Sequence, residues 1–335
     1  MYKRVITHND FDGIVSASLC AYHYKVNNLY FSSPNNVIDK TITISDSDIL
    51  CDLPYSGGCG LWFDHHIGNT QELSQRSIDV NTIDGKFALE PSCARVLFNH
   101  INSISKLPDY FEDTIKHADI IDSFDYPTVN HWQEKTPGKI INSALFSHFA
   151  SPLEERQFME KLVFALRDHH IDDVSKLDWI TSRAQQYFSQ EESMIATIKD
   201  CVYFCPQDTN KEIAVIDLTK YNKKPYIVKT LVFLVEPSAK AVIVLQNQFN
   251  KGIKLNNMFI SMSLGFYFHN KNHGKDIGSI MDELGLGDGH KGAAGGRIWC
   301  ESKQEMMKSK VKVLSQIFKL WNSQPEEIKN TENCN

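Results

Sequence analysis

The 335 residues contain no CxxC pair, no apolar run near the ~20 residues of a spanning helix, no low-complexity tract and no excess of positive charge. Each absence excludes a class. The eight cysteines, Cys20, Cys51, Cys59, Cys93, Cys201, Cys205, Cys300 and Cys334, are scattered along the chain, which argues against a zinc ribbon and against a disulfide framework. With Lys+Arg 35 against Asp+Glu 41 the net charge is −6, so no global basic field exists to hold long nucleic acid as a stable partner. Met1 to His8 runs into polar residues without an apolar signal region, and the expected setting is cytoplasmic, away from membranes. What is present is an ordinary globular composition, 42% hydrophobic and 23% charged, on a chain long enough for about two domains at roughly 150 residues each.

The first hundred residues alternate short apolar runs with amphipathic stretches, the pattern of a parallel α/β sheet. Val5-Ile6, Leu29 to Phe31, Asp48 to Asp52 and Gly60 to Phe63 read as strands. Gly13 to Val26, Pro91 to Asn102 and Pro108 to Ile121 read as helices, two of them opening near a proline. From Leu153 to about Ile198 the chain is charged, helix-prone and free of Gly and Pro. Beyond Tyr203 come β-rich runs at 212–217, 239–245 and 259–268, a Gly-rich loop at 285–296 and a last helix near Lys303 to Trp321. The expected architecture is therefore an N-terminal parallel-sheet catalytic domain (1–152), a helical connector (153–202), a smaller C-terminal α/β domain (203–322) and a polar tail (323–335).

Predicted strand ends coincide with His8, Asp52 and Asp64, and ligands of open α/β sheets sit at the carboxyl ends of strands. His8, Asp10 and Asp12 alternate through a strand-to-helix turn, where all three could converge on cations; alternatively Asp10 and Asp12 only cap the helix. Asp52, Asp64 and the pair His65-His66 favour the first reading, because so many carboxylates around one crevice repel unless cations are bound. An oxygen-rich set with imidazoles and no thiolate suits Mn²⁺, with Mg²⁺ or Fe²⁺ as alternatives. The number of ligands implies two divalent metal ions with one bridging carboxylate, an arrangement that suits hydrolysis of a phosphoester.

The order His8-x-Asp10-x-Asp12-Gly13, Asp52-Leu53-Pro54, Asp64-His65-His66 and Asp122-Ser123 resembles the four motifs of the DHH phosphoesterases. Gly287 to Gly295, with Gly289-His290-Lys291, is similar to the Gly-Gly-Gly-His loop of the DHH-associated domain. The resemblance implies that His8, Asp10 and Asp52 bind one metal, and Asp12, Asp52, His65 and Asp122 the other. Asp64 would orient an imidazole and His66 would face the substrate phosphate, so that Asp52, Asp64, His65 and His66 form the catalytic group. Gly289, His290, Lys291 and Arg297 would bind substrate, although Arg297 reads equally well as a surface charge.

The two-residue gap between His8 and Asp10 resembles the exopolyphosphatase-like branch and speaks against a dedicated pyrophosphatase. Ser261 to Gly265 lacks the arginine that nuclease-type members carry there. The expected substrate is a very short 5′-phosphorylated oligonucleotide, a linear dinucleotide such as pGpG or pApA, or nanoRNA, cut to mononucleotides. Inorganic polyphosphate, or a single strand degraded as by a RecJ-type exonuclease, is the alternative.

Several matches read as accidental. A second Asp168-His169-His170 lies in the charged helical stretch with no strand before it. Gly285 to Gly292 approaches a phosphate-binding P-loop but has His-Lys-Gly where Gly-Lys-Ser/Thr is needed. Asp119 competes with Asp122 for the fourth motif, and Ile121-Asp122-Ser123 fits it better. Phe266 to Phe268 read as core residues of a strand rather than as a base-stacking platform.

Overall fold

A computed structural model describes residues 2–269 and 271–327, without the side chains of Asp288 and His290. The described chain forms two compact units. One runs to Asp125 and resumes over Glu134–Ser189; the other consists of Tyr126–Gln133 and the chain from Gln190 onward.

The first unit is built on five parallel strands: β1 (Arg4–His8), β2 (Leu29–Ser32), β3 (Asp48–Cys51), β4 (Leu61–Asp64) and β5 (Gly85–Phe87). Their spatial order is β2-β1-β3-β4-β5. Val5 and Ile6 face opposite sides of the sheet and both are fully buried, as a strand covered on both faces requires. On one side lies α1 (Phe11–His23), buried along most of its length, with α2 (Cys93–Asn102), α3 (Tyr110–Asp122) and the helix Pro152–Asp168 around the same core. On the other side Ile6, Leu50, Leu53, Trp62 and Leu73 form a smaller cluster, in which the Trp62 indole donates to the Leu53 carbonyl at 2.8 Å. Parallel register pairs Thr7 with Cys51 and Cys51 with Phe63. The chain therefore leaves β1, β3 and β4 along one edge, at His8, Asp52 and Asp64.

The four strands and three helices expected in this region are all present within a few residues of their predicted limits. Strand β5 is not expected from the sequence, because three residues reading Gly-Lys-Phe carry no alternation. The charged stretch after Pro152 is helical, over Pro152–Asp168, Ile171–Val174 and Asp178–Cys201.

The second unit holds a six-stranded mixed sheet: β6 (Val202–Phe204), β7 (Ile213–Asp217), β8 (Ala241–Asn250), β9 (Ile253–Leu264), β10 (Gly287–His290) and β11 (Ala293–Ile298). The order is β10-β11-β9-β8-β7-β6, with only β7 and β8 parallel. The helix Lys303–Ser323 covers it through Met306, Val313, Ile317 and Trp321.

Two expectations are corrected in this unit. Strand β9 stops at Leu264, and Phe266–Phe268 form a 3₁₀ turn in which Phe268 is buried and Tyr267 exposed. The Gly-rich stretch is no loop but the hairpin β10–β11, with Gly289 opposite Ala294. A Cβ on Gly289 would lie 2.4 Å from the Cα and Cβ of Ala294, so this glycine is explained by close strand pairing. A strand, not a helix, follows the turn, which removes the P-loop reading. Among the described residues no helix is long and apolar enough to cross a membrane.

Candidate metal centre

At the carboxyl edge of the first sheet the chain turns out of β1 into α1. Asp10 sits at the helix N-cap and accepts from the Gly13 amide at 2.9 Å, so it does cap the helix. Capping leaves its other oxygen 2.6 Å from His8 Nδ1. Asp12 lies in the first turn of α1 and is 2% exposed. Its oxygens accept from the Cys93 and Ala94 amides at 2.7 and 2.8 Å, at the N-terminus of α2, where free amides and the helix dipole favour negative charge.

Asp52 follows β3 with φ +56°, a left-handed conformation that side-chain-bearing residues other than Asn and Asp rarely adopt. Its carboxylate is 2% exposed, and neither oxygen has a hydrogen-bond partner. His8 Nδ1, His65 Nε2 and His66 Nδ1 stand 3.5, 3.7 and 3.7 Å from it. His65 Nε2 is likewise buried without a hydrogen-bond partner, 3.2 Å from Asp122 Oδ2 and 3.8 Å from Asp12 Oδ2. The other ring nitrogen of His65 donates to the Glu90 carbonyl at 3.0 Å, and this bond leaves the Nε2 lone pair aimed at the acids.

Three sets of side chains bring ligand atoms within 4.8 Å of one another: His8/Asp10/Asp52, Asp12/His65/Asp122 and Asp52/His65/His66. Buried carboxylate oxygens and an imidazole nitrogen left unpartnered at the meeting point of these sets fit divalent cations, which would supply the missing partners. Thiolates play no part. Cys51 faces Cys20 at 3.7 Å, Cys93 donates to the Phe63 carbonyl, and burial holds both the Cys51 and Cys93 thiols well above their ordinary range. The donors are thus oxygen and imidazole nitrogen, a set suited to Mn²⁺ or Mg²⁺.

Asp64 is fully buried and accepts from His66 Nδ1 at 2.9 Å and from the Asn69 side-chain amide. The imidazole it orients is that of His66, whose side chain is 47% exposed. Asp119 is committed elsewhere: it accepts from Ser92 Oγ at 2.7 Å and from Arg95 Nε and Nη2 at 2.9 and 2.6 Å. Asp168 pairs with Arg167, and His170 caps the next helix and meets Asp113 at 3.1 Å, so the second Asp-His-His has a structural explanation.

In the second unit Gly289, Lys291 and Arg297 lie on or between β10 and β11, with Arg297 5.3 Å from the Phe259 ring centre. The His290 side chain is outside the described residues. Sequence reasoning missed Asn69, Glu90, Ser92 and Arg95. Of these only Ser92 carries a local signal, a serine directly before a helix, where its hydroxyl accepts from the Arg95 amide.

Crowding sets the titration behaviour. Burial first, and the charge of Asp10 second, push the Asp12 carboxyl up to about 7. Burial and the neighbouring carboxylates raise Asp52 and Asp122 well above the usual range. Burial lowers His8 and His66, but hydrogen bonds to Asp10 and Asp64 outweigh it and leave both raised. Each raised group binds its proton more tightly folded than unfolded, so its stabilising contribution is complete at low pH and is lost as pH rises through the folded value. His65, lowered by burial and the charge of His66, opposes this trend only below about 6.5, the unperturbed histidine value. Chelator-treated protein is therefore expected to melt progressively lower between pH 6.5 and 8.5, and added Mn²⁺ to remove most of that decline. A melting temperature that stays flat or rises over this interval without metal would contradict the arrangement.

No protein-family model and no curated protein matches the sequence. Solved structures do match, and the fold is that of DHH-family proteins. Similarity is marked to a pGpG-specific phosphodiesterase, PggH, from Vibrio cholerae: TM-score 0.67 and 21% identity, covering 94% of this chain and 99% of that one. The DHH domain of a member of the s1p family of ribosomal proteins matches at TM-score 0.58 and 11% identity, over 97% of this chain and 87% of that one. Exonuclease RecJ bound to manganese matches at TM-score 0.50 and 10% identity, over 99% of this chain and 92% of that one.

Proposed function

We propose that this chain is a DHH phosphoesterase that uses divalent cations, Mn²⁺ in the first place, to hydrolyse very short 5′-phosphorylated oligonucleotides such as pGpG or pApA to mononucleotides. The observation that carries the reading is the buried carboxylate of Asp52 beside the buried Nε2 of His65, both without a hydrogen-bond partner. Evolved interiors rarely leave such atoms unsatisfied unless a ligand completes them. His8, Asp10 and Asp52 would hold one cation, and Asp12, Asp52, His65 and Asp122 the other. When bound, the pair would supply a hydroxide nucleophile at neutral pH and offset negative charge developing at phosphorus.

The chain's own groups do the rest. Asp64 fixes the His66 ring and favours its protonated form, so that His66 presents a positive N–H to a substrate phosphate oxygen. Gly289, His290, Lys291 and Arg297 are assigned to substrate binding. A short substrate is supported by the likeness to a pGpG phosphodiesterase over nearly the whole of both chains.

A panel of pGpG, pApA, longer RNA, single-stranded DNA and inorganic polyphosphate, incubated with the pure chain and Mn²⁺, tests this. Mononucleotide release from the dinucleotides is expected, with Lys291→Ala raising KM by about tenfold, the scale of one charged hydrogen bond. Orthophosphate release from polyphosphate with the dinucleotides intact would replace the reading with an exopolyphosphatase. Degradation of long single strands in preference to dinucleotides would replace it with a RecJ-like exonuclease.

A further inference from the structure

The segment Glu90–Arg95, between β5 and the first turn of α2, touches every member of the Asp12/His65/Asp122 set or the element that carries it. The Glu90 carbonyl accepts from His65 Nδ1 at 3.0 Å. The Cys93 and Ala94 amides hold both oxygens of Asp12. Ser92 Oγ, itself accepting from the Arg95 amide at 3.0 Å, donates to Asp119 Oδ1 at 2.7 Å. Arg95 closes on the other oxygen of Asp119 through Nε and Nη2. Asp119 and Asp122 stand three residues apart on α3 and therefore share a face of that helix. The hold on Asp119 therefore acts on the last turn of α3, the turn that carries Asp122. The set His8/Asp10/Asp52 has no contact of this kind with the segment among the described residues.

We infer that Ser92, Arg95 and Asp119 are positioning residues for one of the two cation sites, the one to which Asp12, His65 and Asp122 belong alongside the shared Asp52, and that they set its affinity without disturbing the His8/Asp10/Asp52 set. The inference rests on the proposed two-cation reading and adds to it an asymmetry: the two sites are supported by different parts of the chain. Loss of the clamp would relax the last turn of α3, whose earlier turns stay held by Phe111, Ile115 and Ala118 in the core, and would let Asp122 shift relative to His65, while Asp52 and the β1–α1 turn stay in place.

Mn²⁺ titration of the full chain, with Mn²⁺ binding followed calorimetrically and by electron paramagnetic resonance, tests this. Wild type is expected to show two binding steps. Asp119→Asn and Ser92→Ala are each expected to weaken one step by about 10- to 100-fold, the range seen when groups that orient metal ligands are removed, and to leave the other unchanged. Turnover of pGpG should fall in kcat with KM retained. Ser92→Thr, which keeps both the cap and the hydroxyl donor, should restore the Ser92→Ala loss. Ser92→Ala removes a single hydroxyl and keeps the test open should Asp119→Asn fail to fold. Equal weakening of both steps, or no change in either, overturns the inference while leaving the two-cation reading intact. A wild-type chain that shows no Mn²⁺ step overturns both.

Discussion

Asp52→Asn should abolish turnover, lowering kcat by at least about 10³-fold, while making the metal-free protein more resistant to heat at pH 8. The first effect follows from position. Asp52 faces His8, His65 and His66 at once, and removal of one member of a catalytic unit commonly costs several orders of magnitude. The second follows from burial, because the wild-type carboxylate is held without a hydrogen-bond partner among other acids and resists ionisation. Asn is close to isosteric, tolerates the left-handed backbone at φ +56° and brings no charge. Loss of activity therefore cannot be attributed to a distorted turn. A variant with both lower activity and higher metal-free stability marks a residue placed for chemistry at the expense of the fold. Paired pGpG assays and thermal melts in chelator measure both. Activity within tenfold of wild type, or a lower metal-free melting temperature, would contradict the role given to Asp52.

Gly13→Ala is expected to be nearly as damaging, although residue 13 contributes no ligand. A Cβ there would stand 2.2 Å from the carbonyl oxygen of His8 and 2.7 Å from its carbonyl carbon. Both are backbone atoms of the turn that carries His8, Asp10 and Asp12, and neither can swing aside. Thr7 Oγ1 also ties to the Gly13 carbonyl at 2.9 Å and draws the helix start against the strand end. The overpacking should cost about 1–3 kcal/mol of stability. The accompanying shift of the ligands should cost roughly 10²-fold in kcat, the scale of a misplacement of about 1 Å. Thermal melts and steady-state kinetics with pGpG check the two numbers; wild-type kinetics with an alanine at this position would show that the β1–α1 turn does not hold the site.

Much of the first unit is legible in the sequence because parallel strands buried on both faces write themselves as short apolar runs. Those ending at His8, Asp52 and Asp64 bring their acids and imidazoles to one edge by topology alone. The supporting contacts are not legible, since Asp12 meets the amides of Cys93 and Ala94 across 81 and 82 residues, and backbone donors leave no mark on residue identity. The choice between Asp119 and Asp122 turns on Arg95 and Ser92, and it becomes visible only when α2 and α3 are packed together. In the second unit the glycines mislead. Residues 285–296 suggest a loop by composition, whereas the short side chains serve close pairing of β10 and β11. The run ending in Phe266 to Phe268 likewise mixes a strand with a turn, because aromatic content alone does not separate them.

The count of bound metal tests the account most directly. The 335-residue chain, stripped with chelator, saturated with Mn²⁺ and freed of excess metal, should retain two Mn²⁺ per chain, show the magnetic coupling of a close pair and regain pGpG hydrolysis in step with the second equivalent. Asp52→Asn prepared in the same way should lose the coupling. Protein that retains no metal, or that hydrolyses pGpG at full rate in excess chelator, would contradict a two-cation centre at the edge of the parallel sheet.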